Sequence, residues 1–273
     1  MVRTFSKPGG PMGYLHDTLA LLRQSHADRS RAVASPRWGE GNRDAWLIAM
    51  PDDFAIQRQA MVAGLRQRLA CLSDRLGMDS IERALAAMAI VPRESFVCPL
   101  VDDLAYLPDP IDIGHDQIIS HPELVAVLAA AADPRGGHVL DVGTGSGYQA
   151  AVLSRMAGTV TSIEIIAPLA RLGAWRLRRG GFDNVAVSAG DAAMRGFAPE
   201  TYDAIVVAAG AAQVPPVFLA ALKREGRLVM PIGATPDREI LVLVTKAADG
   251  GITWTPLRPA CFVPLRGAGA RPH

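Results

Sequence analysis

Residues 137–164, GHVLDVGTGSGYQAAVLSRMAGTVTSIE, constrain this chain more than any other stretch. His138-Val-Leu-Asp-Val142 is a short apolar run with β-branched residues and no helical period, which predicts a buried strand. Gly143-Thr-Gly-Ser-Gly147 follows at once, and alternating glycines let a backbone take positive φ and let a ligand approach it. The pattern then predicts a helix over 148–156, stopped by Gly158, and a second strand over 159–163 that ends in Glu164. A strand feeding a helix through glycines leaves N–H groups free for a polar or anionic ligand group.

Two carboxylates narrow the ligand. A dinucleotide loop has the spacing G-x-G-x-x-G, with an acid about 20 positions on. Here the spacing is G-x-G-x-G, and Asp141 stands just before it. A carboxylate suits a ligand carrying an ammonium group better than it suits a pyrophosphate. Glu164, at the end of the second strand, can accept hydrogen bonds from both hydroxyls of a ribose. A cationic ligand with an adenosine ribose is S-adenosylmethionine, and D-x-G-x-G-x-G followed by an acid resembles the class I methyltransferases. An ordinary glycine turn is the competing explanation.

The 273 residues allow one large domain, or one plus an appendage, with ample apolar content for a core. A net charge of +1 gives no strong field toward nucleic acid or an anionic membrane. Cys71, Cys98 and Cys261 are too far apart for a C-x-x-C metal or redox motif, and no metal site is expected. They read as reduced thiols of a soluble, cytoplasmic protein, since no apolar run is long enough to span a bilayer and the N-terminus lacks a secretory h-region.

Residues 1–52 hold two breaker-rich clusters around a short amphipathic helix expected at 14–24, and are expected to form a mobile extension or a docking arm. From Phe54 the pattern turns helical up to Gly77. Ser80 is expected to cap a second helix, which Val91-Pro92 breaks, and an extended, proline-rich approach follows. Another apolar helix is expected over 123–132.

Several segments together resemble one family. VPRESFV (91–97), LAY (104–106), IGHDQIIS (113–120) and HPELVAVLAA (121–130) lead into the glycine-loop unit. Gly190-Asp191, YDAIV (202–206), LKREGRLVMP (222–231) and FVPL (262–265) follow in order. This succession, over about 54–267, is similar to the protein-L-isoaspartate O-methyltransferases. The resemblance implies methyl transfer from S-adenosylmethionine to the side carboxylate of isoaspartate in damaged proteins, followed by succinimide closure and partial return to aspartate. A carboxylate with a reference pKa near ~4 is already ionised, so no general base is required.

The resemblance also assigns roles. Ser120 ends the family loop and is implied as the catalytic positioning group, with Gln117, Ile118, Ala208 and Ala209 lining the substrate side. Gly143, Thr144, Gly145 and Gly147 form the cofactor loop, Asp141 orients the methionine amino end, Glu164 takes the ribose, and Asp191 with the Ala192 N–H meets the adenine. Each has a plainer explanation: Ser120 as a helix N-cap, Asp141 as a strand-end acid, Glu164 as a solvated glutamate, Asp191 as a turn aspartate, and the alanines as close packing. His115 and His121 read as loop histidines. Trp175 reads as a packing residue on an arginine-rich helix over 169–179 whose charges form a solvated face.

The loop departs from the family at Ile118, where threonine is usual; the exchange removes a hydroxyl and adds apolar bulk. Asp116 adds an acid that would repel an anionic substrate if it faced inward. Two alternatives therefore stand beside isoaspartyl repair: a relative methylating an aspartate carboxylate of a dedicated peptide, and a non-enzymatic cofactor-binding adaptor. In the two enzymatic cases, repair and the dedicated peptide, the partner is a protein or peptide bearing a side-chain carboxylate; oligomeric state is not legible.

The expected fold is α/β, a doubly wound, mostly parallel sheet of the class I methyltransferase, Rossmann-like type with an N-terminal helical subdomain. Strands are expected near 138–142, 159–163, 184–188, 203–208, 226–230 and 239–246, the last antiparallel at the edge. The organisation expected is an extension over 1–52, a methyltransferase domain over 53–267 (helical and extended over 53–112, Rossmann-like core over 113–267) and a tail over 268–273.

Overall fold

A computed structural model describes residues 53–271; the expected extension over 1–52, with its helix at 14–24, lies outside the described residues. Helix α1 (Asp53–Leu69) passes through a 3-10 turn (Ala70–Leu72) into the short α2 (Ser73–Leu76). Gly77, at φ 82°, closes α2 through its N–H to Ser73 O and at once precedes α3 (Met78–Ile90). Ser80 therefore does not cap α3. It lies inside the first turn, where its hydroxyl donates back to the Leu76 and Gly77 carbonyls, because the positive-φ glycine lets one helix start where the other stops.

After the extended approach, β1 (Ile111–Gly114) and β2 (Gln117–Ile119) form an antiparallel hairpin. Its two-residue turn is His115-Asp116, at φ 60° and 58°, the positive-φ pair that a tight hairpin requires. Helix α4 (Pro122–Ala132) follows, and its N-cap is His121, whose Nδ1 accepts the Glu123 N–H at 3.0 Å. Ser120 is not the cap.

The core then alternates: β3 (His138–Val142), α5 (Tyr148–Ser154), β4 (Thr159–Glu164), α6 (Ala167–Arg179), β5 (Val185–Ala189), β6 (Tyr202–Val207), α7 (Pro216–Ala221), β7 (Leu222–Ile232), β8 (Glu239–Lys246) and β9 (Ile252–Ala260). The seven strands β3–β9 form one sheet in the order β5-β4-β3-β6-β7-β8-β9. Pairings from β5 to β7 are parallel and those of β7–β8 and β8–β9 antiparallel. The α/β expectation holds, with one correction at the edge. β8 is antiparallel but interior, and β9 forms the antiparallel edge, with β5 at the other. Pro256 and Pro259 in β9 disguise it in the sequence, and an edge tolerates them because one side of the strand needs no ladder partner.

Parallel strands buried on both faces explain the apolar runs. Val139, Ala204, Val206 and Val229 face a core with α1, α3, α4 and α5, while Leu140, Ile205, Val207, Leu228 and Met230 face a second core with Phe218 and Ala221 of α7. The chain runs outward from β3 through β4 to β5, then returns to the other side of β3 for β6. That reversal opens a crevice at the carboxyl ends of the strands, where open α/β sheets bind ligands.

Candidate active site

The crevice holds a cavity lined by the carboxyl ends of the four parallel strands β3, β4, β5 and β6. Val142–Ser146 follow β3, Ile163–Ile166 close β4, Gly190–Ala192 follow β5, and Ala208 and Ala209 follow β6. Gln117, Ile118, Ser120 and His121 from the hairpin side, with Leu124 and Val125 of α4, form one wall. Residues 261–266 form another. They are tied to the β6 end by the Gly210 N–H to Val263 O (2.9 Å) and the Leu265 N–H to Gly210 O (2.8 Å).

Gly143 and Gly145 turn at φ 94° and 51°, which keeps the loop backbone against the cavity with no side chain between. Glu164 is buried, and its two carboxylate oxygens accept the Gly145 N–H (2.8 Å) and the Ile166 N–H (2.9 Å). Each oxygen keeps a second acceptor site for a ligand. Asp191 is held in the same way, by the Ala193 N–H (2.9 Å) and the Ala268 N–H (2.8 Å). Within the expected tail, Ala268 and Arg271 are tied to the body, Ala268 through Asp191 and Arg271 through the buried Glu239.

Two expected site residues lie off the wall. Gly147, at φ 96°, opens α5 and packs toward α6, where an added Cβ would stand 3.3 Å from Gly173 O. Asp141 is wholly buried beneath the loop. Ser162 Oγ donates to its Oδ2 at 2.6 Å, and Thr144 Oγ1 lies 2.5 Å from Ser162 Oγ. With the Ser162 proton committed to Asp141, Thr144 is the donor of the second bond. The acid therefore anchors the cofactor loop from below. Burial pushes the Asp141 carboxyl up to about 7; the Ser162 hydrogen bond pulls the other way, and nearby Glu164 adds to the rise.

Ser120 lies on the wall, and its carbonyl accepts from Arg93 Nη2 at 2.8 Å. Gln117 fastens the hairpin turn by donating to the His115 (3.2 Å) and Asp116 (2.7 Å) carbonyls. Asp116 is exposed at the tip and off the cavity wall, so its charge is left to solvent. Ile118 lines the cavity with 40% of its surface exposed, as does the similarly exposed Ile165. His121 is on the wall as well. Burial lowers its pKa, against the pull of Glu123, so the neutral ring keeps Nδ1 as an acceptor. Trp175 lies elsewhere and is half exposed beneath the Arg179 guanidinium, so it is not the packing residue expected; Arg176 is half-buried and donates to Val97 O (3.1 Å).

Sequence reasoning gave no site role to Gln149, His121 or the 261–266 segment. Gln149 is 8% exposed on the wall beside the loop, and neither polar atom of its amide has a hydrogen-bond partner in the protein. An unpaired buried amide, positive-φ glycines and a two-oxygen acid at the strand end fit the polar groups of S-adenosylmethionine. Among the described residues no cluster of His, Cys, Asp or Glu could hold a metal ion, and no helix is long and apolar enough to cross a membrane.

The family model of protein-L-isoaspartate(D-aspartate) O-methyltransferase matches residues 65–270. The chain belongs to this family. The protein-L-isoaspartate O-methyltransferase 2 of Polaromonas sp. is 44% identical over 187 residues, covering 68% of this chain and 89% of that protein. The protein-L-isoaspartate O-methyltransferase 1 of Cupriavidus necator is 41% identical over 223 residues, covering 81% and 86%. A solved protein-L-isoaspartate O-methyltransferase structure superposes with TM-score 0.64 at 26% identity, over 78% of this chain and 67% of that one. A Plasmodium falciparum structure in complex with S-adenosyl-L-homocysteine shares the fold, with TM-score 0.62 at 22% identity, over 77% and 98%. The motif resemblance and the class I fold are both borne out. The family match extends through the FVPL segment to residue 270, which places the 261–266 wall within the family's own body.

Proposed function

We propose that this protein is an S-adenosyl-L-methionine-dependent carboxyl O-methyltransferase acting on L-isoaspartyl residues of damaged proteins or peptides. The observation that carries this function is the convergence, in one cavity, of the family's hairpin (Gln117–Ile119) with Ser120 and the carboxyl ends of β3, β4, β5 and β6. S-adenosyl-L-methionine supplies an electrophilic methyl on a sulfonium, which a substrate carboxylate oxygen takes as the C–S bond breaks and its electron pair goes to sulfur.

The chain's own residues bind and orient. Gly143, Thr144 and Gly145 present backbone to the cofactor, while Asp141, through Ser162, holds Thr144 in place. Glu164 is suited to the ribose hydroxyls, and Asp191 with Ala192 to the adenine edge. Ser120, Gln117, Ile118, Ala208 and Ala209 line the same cavity and are the residues suited to receive the incoming carboxylate. The nucleophile arrives ionised, so alignment and exclusion of water account for the acceleration.

The ester formed on isoaspartate is then attacked by the following backbone nitrogen, releasing methanol and closing a succinimide. Water opens the ring to aspartate or back to isoaspartate. The partner is therefore a protein or peptide with a side-chain carboxylate. Three exposed, unpaired cysteines suit the reducing cytoplasm as its compartment.

Reversed-phase chromatography with mass detection, which separates the isobaric isoaspartyl and aspartyl forms, tests this function on an isoaspartyl peptide incubated with enzyme and cofactor. Successive appearance of a methyl ester, a succinimide and the aspartyl peptide is expected. An unchanged isoaspartyl peptide, under conditions where the cofactor binds, would refute it.

A further inference from the structure

Gln149 is the one cavity-wall residue among those described whose buried side-chain polar atoms are left unpaired. A buried carboxamide without partners is unfavourable in an otherwise apolar core, and such groups are retained where a ligand completes them. Its neighbours on the wall fix which ligand group that is. Glu164 and Asp191, at the ends of β4 and β5, are the acids proposed above for the ribose and the adenine. Gln149, in the first turn of the helix that follows the loop, shares the cavity wall with Thr144, Gly145 and Ser146 of that loop and with Ser120. The part of the cofactor remaining for that space is its amino-acid end, a zwitterion that needs both a donor and an acceptor. Asp141, the acid assigned to this end by motif, is wholly buried and off the wall, and its Oδ2 is taken by Ser162.

We propose that Gln149 binds the amino-acid end of the cofactor, its Nε2 donating to the α-carboxylate and its Oε1 accepting from the ammonium group. The inference rests on S-adenosyl-L-methionine being the cofactor. A carboxamide suits this task because it offers a donor and an acceptor within one rigid, neutral group. It also explains why a glutamine stands at a position otherwise surrounded by the apolar residues of α5, Tyr148 and Ala150 to Leu153, all buried.

The test uses Gln149→Leu and Gln149→Met in the full chain, with two probes. S-adenosyl-L-homocysteine carries the amino-acid end; 5′-methylthioadenosine keeps the adenosine and sulfur but lacks that end. Calorimetry is expected to show S-adenosyl-L-homocysteine binding weakened by about tenfold or more in both variants. Methylthioadenosine affinity is expected to stay within about twofold. The unliganded variants are expected to melt at the same temperature as the parent or higher, since an unpaired buried amide has been removed. Equal loss for both probes, loss for neither, or lowered melting in both variants would overturn the inference. A rise in peptide KM with unchanged S-adenosyl-L-homocysteine affinity would overturn it too, by assigning the amide to the substrate. If the parent protein itself bound neither probe, the cofactor assignment would fail instead.

Discussion

Arg93, wholly buried in a 3-10 turn (Arg93–Phe96), reaches 27 residues along the chain to donate from Nη2 to the Ser120 carbonyl at 2.8 Å. Its Nε holds the Ala105 carbonyl at 2.7 Å, and its guanidinium lies 4.8 Å from the centre of the Tyr148 ring. One rigid fork thus fixes the hairpin's end against the helix that follows the cofactor loop. Lysine offers a point charge and cannot span both carbonyls. Arg93→Lys is expected to lower kcat per folded molecule by about tenfold, with S-adenosyl-L-homocysteine affinity nearly unchanged. Single-turnover kinetics beside calorimetry check this; an unchanged kcat would show that the fork serves folding alone.

Ile118 stands on the wall where the family loop resemblance calls for threonine, and 40% of its surface is open. It gives the carboxylate no donor. Ile118→Thr is expected to raise kcat/KM for an isoaspartyl peptide by about threefold to tenfold, the worth of one modest hydrogen bond. A fall in kcat/KM measured on the same peptide would show that the apolar side chain itself recognises the substrate.

Asp141 gives the unliganded protein a pH signature. Its carboxyl is raised to about 7 by burial, whereas an unfolded aspartate titrates near ~4. Between those values the folded protein keeps a proton that the unfolded chain releases. This contribution to stability is therefore fully present below about 4 and is lost as pH rises toward 7. The stability difference between parent and Asp141→Asn is expected to move against the parent by roughly 1 kcal/mol per pH unit from 5 to 7. Subtracting the variant removes the histidine contributions common to both. Denaturant titration across that range checks it, and a flat difference would contradict it.

Asp133 ends α4 in the left-handed conformation, φ 36°, with its carboxylate buried among Arg83, Arg135 and Arg227. Burial alone would raise its pKa, but the hydrogen bonds from Arg83 and then Arg135 outweigh burial and leave it low. Asparagine accepts the same backbone conformation, so Asp133→Asn removes charge without straining the turn. The loss is expected to be about 2 kcal/mol, less than for a fully buried pair because Arg83 and Arg135 reach solvent. Chemical denaturation at pH 7 measures it directly, and a loss near zero would show that the arginines are satisfied by water.

The parts of this molecule legible in the sequence are those whose chemistry is written in one short stretch. The β3–loop–α5–β4 unit is such a stretch, because the positive-φ glycines and the strand-end Glu164 can be replaced by few other residues. Other features depend on distant partners. β9 is a strand because β8 pairs with it, and its prolines argue locally against that. The His115-Asp116 turn carries no glycine at its two positive-φ positions, so the hairpin gave no turn signal. Asp141 looks like a ligand-facing acid until the fold is seen to bury it off the cavity wall, with Oδ2 bonded by Ser162, 21 positions away, and Oδ1 left unpaired. Gln149 looks like an ordinary helical glutamine until the fold buries it unpaired on the cavity wall.

The most direct measurement is methyl transfer from labelled S-adenosyl-L-methionine to a short isoaspartyl peptide, its aspartyl twin and a no-peptide control. The account predicts base-labile label on the isoaspartyl peptide alone. Label on neither peptide, with cofactor binding confirmed by calorimetry, would contradict isoaspartyl methylation, and label on the aspartyl twin alone would reassign the substrate carboxylate.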